Sequence, residues 1–298
     1  MTAPGEGPAF RRAPLLALAF ASLLAGLAAG LGRLGLVPLH DVAPALGGAH
    51  GPLMVSGFFG TVIGLERAVA LGRPWAYAAP VLSGASGLGL VLGARSDVTA
   101  VLAVLAAATL TATTVVAARR QPAAHGWLLA FAAVTWLVGG AAWTLGQPLP
   151  VVVPWWLGFL VLTIAAERLE LSRLLAPTPL RMPLLIAAAS LLTLGASVAL
   201  GDAGWGTRIV GAALLGTSAW LVRYDVARRG VRTAGLTRFI ALCLLSGYAW
   251  LAVGGALALA FGATFAGPRY DATLHAVFVG FVMSMVFAHA PIILPAVL

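Results

Sequence analysis

Residues 272–296 read ATLHAVFVGFVMSMVFAHAPIILPA, a run of 25 residues in which only two histidines are ionisable. About 20 apolar residues in a helix are enough to cross the hydrocarbon core of a bilayer, so this run predicts a transmembrane helix. The whole chain has the same character, because 61% of its 298 residues are hydrophobic and only 9% are charged. Soluble domains average about 25% charged residues. A water-soluble globular enzyme is therefore excluded.

Proline, glycine and charged residues divide the chain into ten predicted spans and leave no length for a separate soluble domain. The spans are about 14–32, 49–70, 75–94, 98–118, 126–145, 151–170, 180–200, 206–222, 236–261 and 272–296. We predict an all-α polytopic membrane helix bundle of about ten transmembrane helices, forming a single transmembrane domain over residues 1–298.

The arginines predict the orientation, because cytoplasmic loops carry more basic residues than outer loops. With the N-terminus inside, 14 of the 18 basic residues lie on the inner side. The outer four are Arg33, Arg95, Arg208 and Arg269. We expect an N-in, C-in membrane protein surrounded by the lipid bilayer. The arginines are scattered between apolar runs, which excludes a nucleic-acid partner, and the lone Cys243 excludes an internal disulfide or a multi-cysteine metal site.

A short pattern, G-F-x4-I-x2-E-R, occurs in the second span and again 101 residues later in the sixth, with a partial copy in the tenth. Its positions are Gly57, Phe58, Ile63, Glu66 and Arg67; Gly158, Phe159, Ile164, Glu167 and Arg168; and Gly280, Phe281, Val286 and His289. Inverted five-plus-five repeats relate helices of opposite direction, whereas these three spans run the same way. The echo predicts a pseudo-threefold repeat of four-helix units, the last one shortened.

Two histidines lie at matching depth, about one turn inside the outer ends of their spans. His50 opens the second span and His275 opens the tenth. Ionisable groups inside a bilayer are candidates for function. Two neutral imidazoles at equal depth are suited to axial ligation of a haem iron. The alternative is a pair of interfacial histidines hydrogen-bonded to loop carbonyls.

The other histidines have weaker signals. In a regular α-helix, His289, 14 residues after His275, would return to within about 40° of the same face. It is a candidate metal ligand, or a partner of Glu66 or Glu167 in a buried polar bridge. His40 precedes the second span and either lies at the surface or adds a third nitrogen for copper. His125, at the inner face, is expected to anchor the fifth span.

Charged pairs close the second and sixth spans near the predicted cytoplasmic boundary: Glu66-Arg67 and Glu167-Arg168. One interpretation is that these side chains extend to the interface and simply end each span. The functional alternatives are a cross-helix ion pair or a proton entry point. Phosphate-binding loops, zinc-protease motifs and a nucleophile elbow are missing from the sequence.

Taken together, these features resemble subunit I of the haem-copper oxidases, whose twelve helices form three pseudo-equivalent four-helix arcs. In that family helices two and ten supply the axial histidines of a low-spin haem, which by position would be His50 and His275. The run from His275 to His289 is also similar to a signature of the NnrS family, haem- and copper-containing membrane proteins linked to nitric oxide metabolism in denitrifying bacteria.

This chain differs from the two families in two respects. The oxidases take their copper ligands from helices six and seven, but the sixth span reads PWWLGF over residues 154–159 and neither span contains histidine. Oxygen reduction at a haem-copper pair is therefore not implied. NnrS proteins also have about twelve helices, which would make this chain a short relative.

The resemblance implies a protein that binds haem b, with copper as a second cofactor, and acts in electron transfer or in nitric oxide and nitrosative-stress metabolism. Its partners would be respiratory or denitrification redox proteins. Two alternatives remain open: a cofactor-free, proton-coupled transporter using Glu66, Glu167 and His289, and an assembly factor for a respiratory complex. Haem content separates the first function from the other two.

Overall fold

The computed structural model describes residues 8–37, 46–172 and 178–297, and within these ranges it is all-helical. Ten main helices follow one another in the described residues, each at the position of one predicted span. They are α1 (Pro8–Arg33), α2 (His50–Leu71), α3 (Ala78–Val91), α4 (Ser96–Arg120), α5 (Ala124–Thr144), α6 (Leu149–Leu171), α7 (Arg181–Val198), α8 (Ala203–Tyr224), α9 (Gly235–Phe261) and α10, composed of Pro268–His275, Ala276–Val282 and Met283–Val297.

Eight of the helices in the described part of the chain are long and apolar enough to cross a membrane. The two others are α3, which has 14 residues, and α8, which has 22 residues but is less apolar. The predicted helical bundle is confirmed at this level. The chain is a membrane protein whose apolar helices are suited to contact with the lipid bilayer.

The helices form two compact units. Unit 1 comprises residues 1–122, 140–147 and 294–298. Within it α1, α2 and α3 approach closely through small residues: a Cβ on Gly57 would lie 2.8 Å from the Ser22 hydroxyl and 3.2 Å from the Cα of Gly87. Small residues let helix backbones pack tightly where hydrophobic burial alone gives little driving force, as in a membrane. This contact fixes α2, and therefore His50, against α1.

Unit 2 comprises residues 123–139 and 148–293. Its most enclosed element is α6, since 89% of its most apolar 18-residue window is buried. The Phe159 ring stacks on Trp136 of α5 with centroids 4.9 Å apart. On the same helix Gly158 receives Leu192 of α7, whose methyl carbon would lie 2.8 Å from an added Cβ. Neighbouring helices of unit 2 thus enclose α6.

Candidate functional site

His50, the first residue of α2, is half-buried against α1. Its Nδ1 lies 2.8 Å from the carbonyl oxygen of Gly26. One turn along α1, an added Cβ on Gly30 would lie 3.0 Å from Nδ1 and 3.1 Å from Cε1. Gly30 therefore makes room for the imidazole on the surface of α1, and Gly26 contributes its carbonyl oxygen. Because Nδ1 faces a carbonyl, it carries the proton of the neutral ring, and Nε2 carries the lone pair.

His275 ends the first segment of α10 and is exposed. Its Nδ1 lies 2.9 Å from the carbonyl oxygen of Asp271, one turn earlier. The neutral ring therefore has the same tautomer as His50. The two predicted haem ligands belong to different compact units, and their joint ligation of one iron stays a prediction.

A π-helical segment, Leu53–Gly60, follows His50 in α2. Hydroxyl groups bind two of its carbonyls: Thr61 donates to the Gly57 oxygen at 2.7 Å, and Ser83 of α3 donates to the Ser56 oxygen. In a π turn each amide bonds five residues back instead of four, which leaves a carbonyl to be satisfied by another donor. These hydroxyls supply such donors. Isolated π turns inside α-helices are frequent at functional sites.

The same arrangement occurs in α10. A π-helical segment, Ala276–Val282, begins directly after His275, and Ser284 donates to the Gly280 oxygen at 2.6 Å. In both helices the hydroxyl comes four residues after the glycine of the sequence echo. In α6 that position is Leu162 and the helix is a regular α-helix around Gly158. The histidines and the π turns therefore occur together in α2 and α10, and α6 has neither in its described residues.

The π-helical segment changes the expected position of His289. Each additional residue held in a turn moves later side chains back by about 100°. The prediction that His275 and His289 share one face assumed a regular α-helix, and the π-helical segment Ala276–Val282 departs from that assumption. His289 is half-buried, with Nδ1 2.7 Å from the Met285 carbonyl oxygen. Its pairing with Glu66 or Glu167, and its role as a metal ligand, stay predictions.

The two Glu-Arg pairs have different surroundings. In α2, Arg67 donates to its neighbour Glu66 at 2.6 Å, and both side chains are partly exposed. In α6, the Arg168 side chain is 4% exposed and instead reaches Asp225, whose side chain is 0% exposed, just after α8. For Arg168 the structure shows the cross-helix ion pair rather than an interfacial side chain that ends the span.

The buried ion pair has fork-to-fork geometry. Arg168 Nε donates to Asp225 Oδ2 at 2.6 Å and Nη2 donates to Oδ1 at 3.0 Å. The backbone amide of Ala227 also donates to Oδ1, at 2.6 Å. The fully buried Tyr248 side chain of α9 lies near both charged groups. Every oxygen of the carboxylate is thus compensated, which a buried charge requires.

A second arginine secures the end of α6. Arg181, at the start of α7, donates to the carbonyl oxygens of Ser172 and Leu169, each at 3.0 Å. The last carbonyls of a helix have no partners within it, and Arg181 satisfies two of them. In turn the Trp220 indole of α8 donates to the Arg181 carbonyl oxygen at 2.7 Å. These contacts hold the ends of α6, α7 and α8 together.

The predicted copper site requires a cluster of at least three ligands. Over the described ranges, no group of three or more histidine, cysteine, aspartate or glutamate side chains is close enough to hold a metal ion. His40 lies outside the described residues, so the copper site with His40 as its third nitrogen stays a prediction. His125 Nε2 lies 3.8 Å from a Glu170 carboxylate oxygen, a contact that suits the expected anchoring role.

Comparison with known proteins gives a family. Residues 12–298 match the model of a family described as "Domain of unknown function (DUF8744)". The chain belongs to the DUF8744 family. No curated protein and no solved structure matches it.

The contacts of three residues of this DUF8744 protein were not predicted from the sequence: Asp225, Tyr248 and Arg181. Asp225 carried one usable signal, because it is one of only nine acidic residues and lies three residues after the predicted span 206–222. Its partner is 57 residues away in the chain, and no local spacing predicts that contact. Arg181 had no signal beyond being a basic residue at the start of the predicted span 180–200.

Proposed function

We propose that this DUF8744 protein binds haem b, with His50 and His275 as axial ligands, and acts in electron transfer or in nitric oxide and nitrosative-stress metabolism. The observation that carries the proposal is the shared arrangement of the two histidines. Each directs Nδ1 to a backbone carbonyl and is followed in its helix by a π-helical segment. Its partners would be respiratory or denitrification redox proteins.

The chemistry of the two rings suits this cofactor. Metal-ligating histidines usually donate the other ring N–H to a carbonyl or carboxylate, which fixes the tautomer and the ring orientation. His50 meets this requirement with a carbonyl from another helix, Gly26 of α1. A six-coordinate haem supplies one-electron transfer, and an iron with one histidine displaced supplies a position for a gas ligand.

The first experiment is a reduced-minus-oxidised visible spectrum of the full chain, purified in detergent from cells with ample haem. We expect α and Soret bands in the wild type, and their loss in His50→Ala and in His275→Ala. His125→Ala, which removes an imidazole next to Glu170, is the matched control and should keep both bands. A colourless wild type, or bands unchanged in both variants, would refute the proposal and favour a cofactor-free transporter or an assembly factor.

We further propose that all ten helices cross a bacterial inner membrane with both termini in the cytoplasm. The supporting observation is the distribution of arginines, 14 inside and four outside. Two exposed glutamines offer a matched test in a Cys243→Ser background: Gln147 between α5 and α6, and Gln121 between α4 and α5. An impermeant maleimide should label Gln147→Cys in intact cells and Gln121→Cys only after lysis. The opposite pattern would reverse the orientation.

The pseudo-threefold repeat of four-helix units is also a proposal. It is supported by the packing of the three echo glycines, since an added Cβ on Gly57, Gly158 or Gly280 would lie within 2.8 Å of a side chain from another helix. The phenylalanine that follows each glycine is buried. The glycine and phenylalanine of the echo thus form the same kind of close helix contact in α2, α6 and α10.

A further inference from the structure

A cleft opens at one end of unit 2, among the first turns of α6, α8 and α10 and the last turn of α9. Its cavity volume is about 50 Å³, and the total rises to about 530 Å³ when the empty space over its open side is included. Its walls are mostly apolar, with Val153, Leu157, Leu214 and Val277 among the lining residues, and Thr207 and Thr273 add hydroxyls. A lining of this kind suits an aliphatic chain better than a polar solute.

Two arginines lie at the same end of unit 2 as the cleft. The Arg208 guanidinium lies 6.0 Å from the ring centroid of Trp205 and against Gly262, where Nη1 would be 2.5 Å from an added Cβ. The Arg269 guanidinium lies 5.1 Å from the ring centroid of Phe261. Because Phe261 and Gly262 are consecutive, both guanidinium groups lie near the end of α9, and Gly262 also lines the cleft.

The nearby acids leave both guanidinium groups available. Asp202 caps α8, accepting a hydrogen bond from the Trp205 amide at 3.0 Å. Asp271 is in the first turn of α10, where a carboxylate is favoured by the helix dipole. Within the described residues, neither carboxylate forms an ion pair with Arg208 or Arg269. Two cations near the same helix end, each without an ion-pair partner in the part of the chain that the structure describes, suit an anionic group.

We propose that this end of unit 2 binds a glycerophospholipid, with its phosphodiester held by Arg208 and Arg269 and one acyl chain in the cleft. Guanidinium groups match phosphate oxygens with paired hydrogen bonds. Trp205 is 65% exposed and Phe265 58% exposed at this end. Exposed aromatic rings of this kind are typical of the membrane–water interface, where lipid head groups lie. The inference does not depend on haem.

The test is native mass spectrometry of the detergent-purified full chain with dioleoyl phosphatidylglycerol as the added probe. Wild type should retain the lipid, and the variant Arg208→Gln/Arg269→Gln should retain it roughly tenfold less, since charge-assisted hydrogen bonds are lost. The matched control, Arg33→Gln/Arg95→Gln, removes two arginines of unit 1 and should retain lipid like wild type. Thr207→Phe, which fills the cleft but keeps both arginines, should also lose retention.

Competitors identify the group that is recognised. Dioleoylglycerol, which has the same chains without phosphate, should be retained no better by wild type than by the double variant. Displacement of the lipid by millimolar inorganic phosphate would show a site for free phosphate and overturn the role of the acyl chain. Equal retention by wild type and double variant would overturn the proposal, as would unchanged retention in Thr207→Phe. If the double variant does not fold, Arg208→Lys tests the proposal instead. Lysine keeps the positive charge but loses the paired hydrogen-bond geometry, so lipid retention should weaken.

Discussion

α2 and α6 carry the same sequence pattern in two different settings. In α2 the segment Leu53–Gly60 is π-helical, follows a histidine, and ends in a Glu66–Arg67 pair between neighbouring residues. In α6 the corresponding stretch is a regular α-helix without histidine, and its arginine forms a buried ion pair with Asp225.

The difference shows which part of the pattern has the same role in both helices. The glycine is a close-contact point in each, and the phenylalanine is buried in each. The hydroxyl four residues after the glycine is present only in the π-helical copies. The arginine pairs with the preceding glutamate in α2 but with Asp225 in α6. Packing is therefore shared, whereas hydrogen bonding and charge are specific to each helix.

The largest expected effect is at the buried ion pair. Arg168→Met leaves the Asp225 carboxylate buried without its cation, and removal of one partner from such a pair costs about 3–5 kcal/mol of unfolding free energy. Arg67→Met in α2 is the matched variant and should cost much less, because that side chain is partly exposed. Thermal and denaturant unfolding in detergent measure both. Equal losses would remove the distinction between the two helices.

A double variant separates charge from packing at the same site. Arg168→Met/Asp225→Asn removes both charges while the asparagine oxygen can still accept from the Ala227 amide. Replacing a buried ion pair by neutral groups is often close to neutral in stability, so the double variant should recover at least half of the loss. A double variant as unstable as Arg168→Met would show that the arginine acts through packing.

The second effect concerns the echo glycines. In Gly280→Ala the new Cβ would lie 2.5 Å from Cγ of the Trp250 ring, near the backbone of α9, and we expect a loss of about 2 kcal/mol from overpacking. In Gly158→Ala the Cβ would meet the Leu192 methyl carbon at 2.8 Å, at the flexible end of a side chain, and the loss should be nearer ~1 kcal/mol. Unfolding midpoints give the order, and the reverse order would contradict this packing account.

A third effect should appear at His50 without altering the histidine itself. In Gly30→Ala the added Cβ would lie 3.0 Å from Nδ1, so the ring must shift by a few tenths of an ångström and its contact with the Gly26 carbonyl is disturbed. Loss of an outer-shell partner typically weakens metal binding about 10–100-fold, and we expect haem retention near the lower end. Gly48→Ala, with nothing within 4 Å of its Cβ, is the control. Full haem retention in Gly30→Ala would mean that the carbonyl contact is irrelevant to the cofactor.

The smallest effect has the opposite sign. Gly216 lies within α8, is exposed, and an added Cβ would meet only Ala188 at an ordinary 4.0 Å. Gly216→Ala should therefore stabilise the protein by about 0.5 kcal/mol, through helix propensity and reduced freedom of the unfolded chain. An unfolding midpoint lower than that of wild type would indicate a hidden packing role for this glycine.

Much of the fold could be predicted because span ends coincide with charges and helix breakers. The predicted span 49–70 corresponds to His50–Leu71, and 236–261 to Gly235–Phe261. The π-helical segments could not be predicted, because a period of 3.6 residues is assumed whenever helix faces are assigned. The Arg168–Asp225 pair also had no local signal, since its two residues meet only when α6 and α8 pack. The positions of the histidines followed from the sequence, but their hydrogen-bond partners did not.

The π-helical segments have a consequence for comparing this chain with its relatives. A π turn holds one residue more than an α turn, so it is equivalent to a single-residue insertion absorbed inside a membrane helix. A one-residue deletion between Leu53 and Gly60 would restore a regular helix and turn everything beyond it, Glu66 included, by about 100°. Aligning this chain with a relative that lacks the extra residue therefore requires a one-residue gap inside α2 or α10, because without that gap residues near the C-terminal ends of these helices would be wrongly paired.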